Sequence, residues 1–322
     1  MTDHGAVQMT DEADRSARVA VERDYRSCIV NQFRWHSTSA AASQVERGRI
    51  ALDQVFVSLS AIREQPRSSE VLGPEERRIL REAHMLGLSR NEIEMQLDAL
   101  RAQRLRDDAN RADTSSAPTS VEEFLRQVHH ASIVLLGDPG SGKSTFLRHL
   151  ALCAAQQQGP PGVANKLPFW MPLSAFGEAL RLQETSLEDH LPIYAQQVIC
   201  PSNVAPLFRD ALQTGRALML LDGLDEVIHS DTRQKVAAQI NAMIQRWQGL
   251  GNRFLVTSRI VGYREVQLPP SLPHLILVDL SDSAMAELVN KWCLADPSGP
   301  EHVTDAERLL LAKREARTLL DE

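Results

Sequence analysis

The sequence predicts an α/β fold, a parallel β-sheet flanked by helices and preceded by a mainly helical N-terminal region. Three observations carry this prediction. Short, continuously apolar runs recur through the second part of the chain, helical segments separate them, and a glycine-rich turn joins the first run to the first helix. Strands alternating with helices read as parallel, because each crossover returns the chain to the same end of the sheet.

Composition narrows the class before any element is placed. The 322 residues suffice for about two domains. Hydrophobic residues at 43% and charged residues at 24% are ordinary globular usage, which excludes collagen-like and wholly disordered chains. A net charge of -7 argues against a polyanion as the dominant partner. Cys28, Cys153, Cys200 and Cys293 show no paired C-x-x-C spacing, so they read as reduced, packed thiols rather than a zinc site or disulfide framework. No apolar stretch reaches the roughly 18 residues of a membrane span, and the polar, acidic start lacks a signal-peptide pattern. The expectation is a cytoplasmic protein with no membrane partner.

In chain order, residues 17–35 carry apolar positions at helical intervals, and 75–86 continue that pattern up to Gly87. Ser89 opens another helix, with Glu92 completing a capping box and Ile93, Leu97 and Leu100 on one face. Between these, Ile50, Leu52, Val55, Val57 and Leu59 nearly alternate, as in a short strand or an extended arm laid on a neighbouring domain. Residues 80–100 have helix-turn-helix spacing, and Arg77, Arg78, Arg81, Arg90, Arg101 and Arg104 add positive charge. Glu75, Glu76, Glu82, Glu92 and Glu94 offset it, so an αα-hairpin is the preferred reading and no nucleic-acid partner is expected. The small polar run ADTSSAPT at 112–119 reads as a linker. It divides a helical region at 1–115 from an α/β core at 119–295, with 296–322 beginning a helical lid.

Ser120 with Glu123 caps a short helix reaching residue 128, and SIVLL at 132–136 reads as a strand buried on both faces. A helix follows over 143–156. Further strand-like runs lie at 168–173, 217–221, 254–257 and 275–278, with a helix at 232–248 among the connections. His129 and His130 lack companion ligands and read as cations at a helix C-terminus. Trp170, Trp247 and Trp292 read as core or interface aromatics.

The chemistry concentrates at the turn after the first buried strand. Gly137, Asp138, Pro139, Gly140, Ser141, Gly142, Lys143 and Ser144, followed by Thr145, form G-x-x-x-x-G-K-S-T between a strand and a helix. Glycines let successive N–H groups point inward, and the helix N-terminus adds its positive end, so the turn suits a triphosphate. Lys143 is expected to reach the β and γ phosphates, and the Ser144 hydroxyl to ligate Mg²⁺. The strand LMLLD ends in Asp222, 79 residues after the lysine, and is expected beside the first strand, with its carboxylate holding Mg²⁺ through water. Asp225 and Glu226 follow. Glu226 is the preferred group for orienting or deprotonating an attacking water, with Asp225 as helper. FLVTS leads to Arg259, placed at a strand's carboxyl end where a cation senses the γ-phosphate.

Together GDPGSGKST at 137–145, LMLLDGLDE at 218–226 and FLVTSRIVGYRE at 254–265 resemble the NACHT family of STAND-class P-loop ATPases, of the bacterial NLR-like type. The D-G-x-D-E form is distinguishing, since Gly223 stands where many related ATPases carry the catalytic glutamate. The resemblance spans about 120–293, and YRSCIVNQFRW and RIALDQVFVSL resemble the lead-in of bacterial members. It implies an ATP/ADP switch in which ADP holds a closed monomer, while a detected ligand and ATP open an oligomer that activates an effector. Bacterial members are implicated in antiphage defence. The resemblance gives Lys143, Ser144, Asp222 and Arg259 the family's nucleotide roles. Family members continue into a winged-helix segment with a nucleotide-contacting histidine and then into sensor repeats, whereas this sequence stops at Glu322. The expectation is a fragment, or a chain completed by a partner.

Two other classes compete. One is a P-loop phosphotransferase, although no clear basic lid is present. The other is a nucleotide-binding remnant without turnover. NKLP at 165–168 lacks the aspartate of a guanine-reading N-K-x-D, and no L-S-G-G-Q segment supports a transporter ATPase.

Overall fold

The computed structural model describes residues 4–35, 50–64, 118–127, 132–269 and 271–295. The hairpin expected at 80–100, most of the linker, His129, His130 and residues 296–322 lie outside the described residues.

Among the described residues, seven strands form one sheet in the order β2-β1-β7-β3-β6-β5-β4. These are β1 (Ser60–Glu64), β2 (Thr119–Ser120), β3 (Ile133–Leu136), β4 (Leu167–Pro172), β5 (Ala217–Asp222), β6 (Arg253–Ser258) and β7 (His274–Leu277). From β7 to β4 every pairing is parallel, while β1 runs antiparallel to β7 and to β2. The central strands are buried along their length, which is why they read as unbroken apolar runs rather than alternating ones.

Ten α-helices flank or extend the described sheet: α1 (His4–Phe33), α2 (Leu52–Val55), α3 (Val121–Gln127), α4 (Lys143–Ala155), α5 (Leu173–Leu182), α6 (Leu187–Tyr194), α7 (Ala205–Gln213), α8 (Ser230–Trp247), α9 (Ile260–Glu265) and α10 (Asp282–Ala295). The Ser120 hydroxyl accepts the Glu123 N–H at 3.1 Å, so the expected cap of α3 is present.

Two expectations require correction. The Asp222 strand does not lie beside the P-loop strand, because β6 sits between β3 and β5. The carboxylate still reaches the loop, since α4 leaves the sheet over β4 and β5 and carries its first turn across the intervening strand. Of the two readings of the alternation at 50–59, the strand fails and the extended arm holds only for 56–59. Residues 52–55 form one helical turn, 56–59 run extended, and the strand begins at Ser60, where the free edge of β7 supplies the ladder that Ala61 to Glu64 join.

Helix α1 joins this same core. Tyr25, Ile29 and Phe33, spaced by one helical turn, are buried, and two of them meet β4, with Tyr25 stacked on Phe169 at 5.4 Å and Phe33 edge-on to Trp170 at 5.2 Å. Each such side chain contributes about 1.5–3 kcal/mol by leaving water. Polar contacts set the register: the Tyr25 hydroxyl donates to Pro168 O at 3.0 Å, and Arg26 donates to Ala154 O at 2.6 Å. Among the described residues no helix is long and apolar enough to cross a membrane.

Candidate nucleotide-binding site

The carboxyl ends of β3, β5 and β6 converge on one rim of the sheet. The loop after β3 curls into a cradle. Gly140 and Gly142 adopt positive φ of 77° and 87°, which side-chain-bearing residues avoid. A Cβ at Gly137 would lie 2.6 Å from Ser141 Oγ, so any larger residue there would displace the serine hydroxyl that Lys143 contacts. Gly142 is the N-cap of α4, so the first-turn amides and the positive end of a 13-residue helix face the cradle. The extended 56–59 segment closes its flank, with Leu59 Cδ1 3.4 Å from where a Gly142 Cβ would stand.

The Lys143 ammonium folds into this loop, donating to Gly137 O at 2.9 Å, Asp138 O at 2.8 Å and Ser141 Oγ at 3.2 Å. Burial lowers its pKa, and Arg259 lowers it further, against the opposing pull of Asp225, Asp138 and Asp222.

Behind the loop, Ser144 Oγ donates to Asp222 Oδ1 at 3.1 Å. Asp222 is only 7% exposed. The sequence reading did not anticipate the residue that holds it. Thr257, fully buried on β6, donates to the same Oδ1 at 2.7 Å and accepts the Gly223 N–H at 2.8 Å. Its signal was a hydroxyl at the end of an otherwise apolar strand, and only the insertion of β6 between β3 and β5 gives that hydroxyl a target. Both hydrogen bonds fall on Oδ1, and Oδ2 carries none among the described residues. A serine hydroxyl and a carboxylate held this close are the oxygen donors that Mg²⁺ accepts, with waters completing its shell.

The D-G-x-D-E segment follows as a short 3-10 turn, Leu224–Glu226. Gly223 has φ +74°, and a Cβ there would meet the Glu226 carboxyl carbon at 2.8 Å, so Glu226 folds back over the glycine toward Asp222. Burial raises the Glu226 pKa, and the neighbouring Asp222 and Asp225 charges raise it further. Asp225 is committed elsewhere. One of its oxygens accepts the Arg259 N–H at 2.8 Å and the other pairs with Arg259 Nε at 3.2 Å. Arg233 clasps the turn from beneath, donating to Val227 O at 3.0 Å and Asp225 O at 3.1 Å. The structure thus brings Asp138, Lys143, Ser144, Asp222, Asp225, Glu226 and Arg259 to one rim, but it joins Asp225 to Arg259 as a pair, and Thr145 turns instead to a cleft lined by Gln32, Phe33 and Trp170.

Charge arithmetic favours a cation here. Two cations, Lys143 and Arg259, share the rim with Asp138, Asp222, Asp225 and Glu226. A triphosphate entering that field meets net repulsion unless a divalent ion accompanies it.

The model of the NACHT domain family matches residues 131–296, just over half of the chain. This chain belongs to the NACHT family. Its mostly parallel sheet flanked by helices is a P-loop NTPase fold. No curated protein matches it. Among solved structures, the NACHT chain is similar to AMPPCP-bound DnaA from Aquifex aeolicus, at 11% identity and a TM-score of 0.38, covering 62% of this chain and 58% of that one. It is also similar to Drosophila ORC bound to DNA, at 16% identity and a TM-score of 0.32, covering 62% and 51% respectively. It therefore spans little more than half the length of these structures.

Proposed function

We propose that this NACHT chain is a slow, Mg²⁺-dependent ATPase that works as a switch, with the exchange between ADP and ATP altering its conformation and self-association. The observation that supports this most directly is the 3.1 Å contact between Ser144 and Asp222 at the mouth of the Lys143 cradle. In this reading the amides of residues 137–145 hold the phosphates, and Lys143 exchanges its carbonyl contacts for the β and γ phosphates. Ser144 and Asp222 hold Mg²⁺, which when bound offsets the charge of the triphosphate. Thr257 keeps the Asp222 carboxylate turned toward Ser144. Glu226, whose raised pKa marks it as a proton acceptor under tension, orients the attacking water and takes its proton. Asp225 contributes by anchoring Arg259 beside the γ-phosphate.

The energetic emphasis is regulatory. Glu226 is folded over Gly223, and Arg259 is 53% exposed while its partner Asp225 is only 10% exposed, so an entering ligand can reach the cation while the carboxylate stays fixed. By family likeness, the output is self-association or engagement of an effector or sensor partner in the cytoplasm, and the setting is antiphage defence. Neither nucleic acid nor a membrane takes part.

The test is steady-state turnover of the purified chain with MgATP, paired with size measurement in ADP and in a non-hydrolysable ATP analogue. We expect binding, turnover well below about 1 per second, and a larger species with the analogue. Rapid phosphoryl transfer to a small acceptor overturns the switch reading in favour of a phosphotransferase. Binding with no phosphate release leaves a nucleotide-binding remnant.

A further inference from the structure

Helix α1 meets the core at a pair of sulfurs. Cys28 lies on α1 between the buried Tyr25 and Ile29, and Cys200 follows the π-helical turn Ala195–Ile199. Their Sγ atoms stand 2.7 Å apart although 172 residues separate them in sequence. Cys200 is 1% exposed and Cys28 is half-buried. The π turn fixes this meeting, because the Cys200 N–H reaches back to Ala195 O at 2.9 Å and leaves the residue extended with its side chain toward α1. Such turns are uncommon and tend to mark functional positions.

We propose that Cys28 and Cys200 form a reversible disulfide that staples α1 to the nucleotide-binding core. Sulfurs at 2.7 Å need approach only to about 2.0 Å to bond. The oxidant is a low-molecular-weight disulfide. Cys28, the more accessible thiol, loses its proton and attacks one sulfur of that disulfide, expelling a small thiolate and leaving a mixed disulfide on Cys28. Cys200 then attacks Cys28 Sγ, and the second small thiolate leaves. Two protein thiols are oxidised, one small disulfide is reduced to two thiols, and the two protein protons end on those thiols.

The surroundings set the tempo. Burial, together with the Cys200 contact and the nearby Asp24 charge, pushes the Cys28 thiol up to about 12. The thiolate is scarce near neutrality, so closure is slow, and the rate rises about tenfold per pH unit while the thiolate fraction grows. The same cover slows reduction of the closed bond by small thiols without preventing it. The staple is a lasting mark rather than a rapid response, and it acts on the helix whose register on β4 is set by Tyr25 and Arg26.

The experiment incubates the full chain with oxidised glutathione at pH 7 and pH 9, without nucleotide, and maps disulfides by mass spectrometry of non-reduced peptides. We expect a peptide joining Cys28 to Cys200, formed about a hundredfold faster at the higher pH. A raised melting temperature that dithiothreitol reverses should accompany it. Cys200→Ser should accumulate glutathione on Cys28 instead. Finding only glutathione adducts, or no change at either cysteine, in the oxidised wild-type chain overturns the proposal. Because that mapping uses the unmutated protein, a misfolded variant cannot obscure it.

Discussion

Lys143 and Lys166 sit at opposite ends of one sheet, and both have pKa values lowered chiefly by burial. Both donate to backbone carbonyls beside glycine turns: Lys143 to Gly137 O and Asp138 O, Lys166 to Gly215 O and Gly251 O. The resemblance ends with the company they keep. Around Lys143 lie the carboxylates and Arg259 of the rim, so its carbonyl contacts compete with charged alternatives. Around Lys166 the partners are backbone carbonyls, and Arg253 lowers its pKa further. Beside it the fully buried Asn252 accepts the Ala217 N–H and donates to Leu212 O and Trp247 O. One rim is a closed clasp that joins β5 to β6, and the other is an open cradle. The comparison teaches that lysine and glycine at a strand end do not by themselves make a site; convergent opposite charges do.

The comparison breaks most visibly through the two ends separately. Lys143→Ala should weaken MgATP affinity about a thousandfold, about 4 kcal/mol, while the melting temperature stays within a few degrees, as calorimetric titration and thermal melts will show. At the other rim, Asn252→Ala should cost about 2–3 kcal/mol of stability by leaving buried donors and acceptors unpaired, with nucleotide affinity per folded molecule unchanged in the same titration. An Asn252→Ala protein of wild-type stability would remove the distinction between the rims.

A finer cut concerns Thr257. Thr257→Val keeps the shape and removes the hydroxyl that orients Asp222, so Mg²⁺-dependent affinity should fall about tenfold, about 1.4 kcal/mol, while affinity measured in a chelator holds. Thr257→Ser should restore it, and equal losses with and without Mg²⁺ would make Thr257 merely structural. The smallest effect belongs to Glu226. Its carboxyl is raised in the fold, so the wild-type protein loses stability as pH rises through the interval between the unfolded and folded values. Glu226→Gln cannot ionise and should melt slightly higher than wild type above that interval, with the gap closing below pH 4.5, the ordinary glutamate value.

Much of the fold was legible because burial on both faces leaves a local trace. IVLL, ALMLLD and RFLVTS need apolar side chains on alternate and intervening positions alike, and the G-x-x-x-x-G-K-S cradle is contiguous, so its backbone requirements are written in adjacent residues. Strand neighbours leave no such trace. Nothing in the periodicity of 253–258 marks that strand as the one lying between β3 and β5, and so Thr257 could not be assigned to Asp222. The lead-in stayed open between a strand and an extended arm for a related reason: the alternation at 50–59 reports burial against the cradle and core, whereas β1 depends on the distant edge of β7.

By itself the amino-acid order determined the parallel α/β character, the phosphate cradle with Lys143 and Ser144, and the acidic and cationic strand ends, because each arises from residues within a few positions of one another. Tertiary structure alone decided that Thr257 holds Asp222, that Asp225 belongs to Arg259, and that Cys28 meets Cys200. Those pairings depend on which strands and helices become neighbours, and that is settled by packing a whole core, where the free energy is shared among many apolar contacts and no local pattern encodes the outcome.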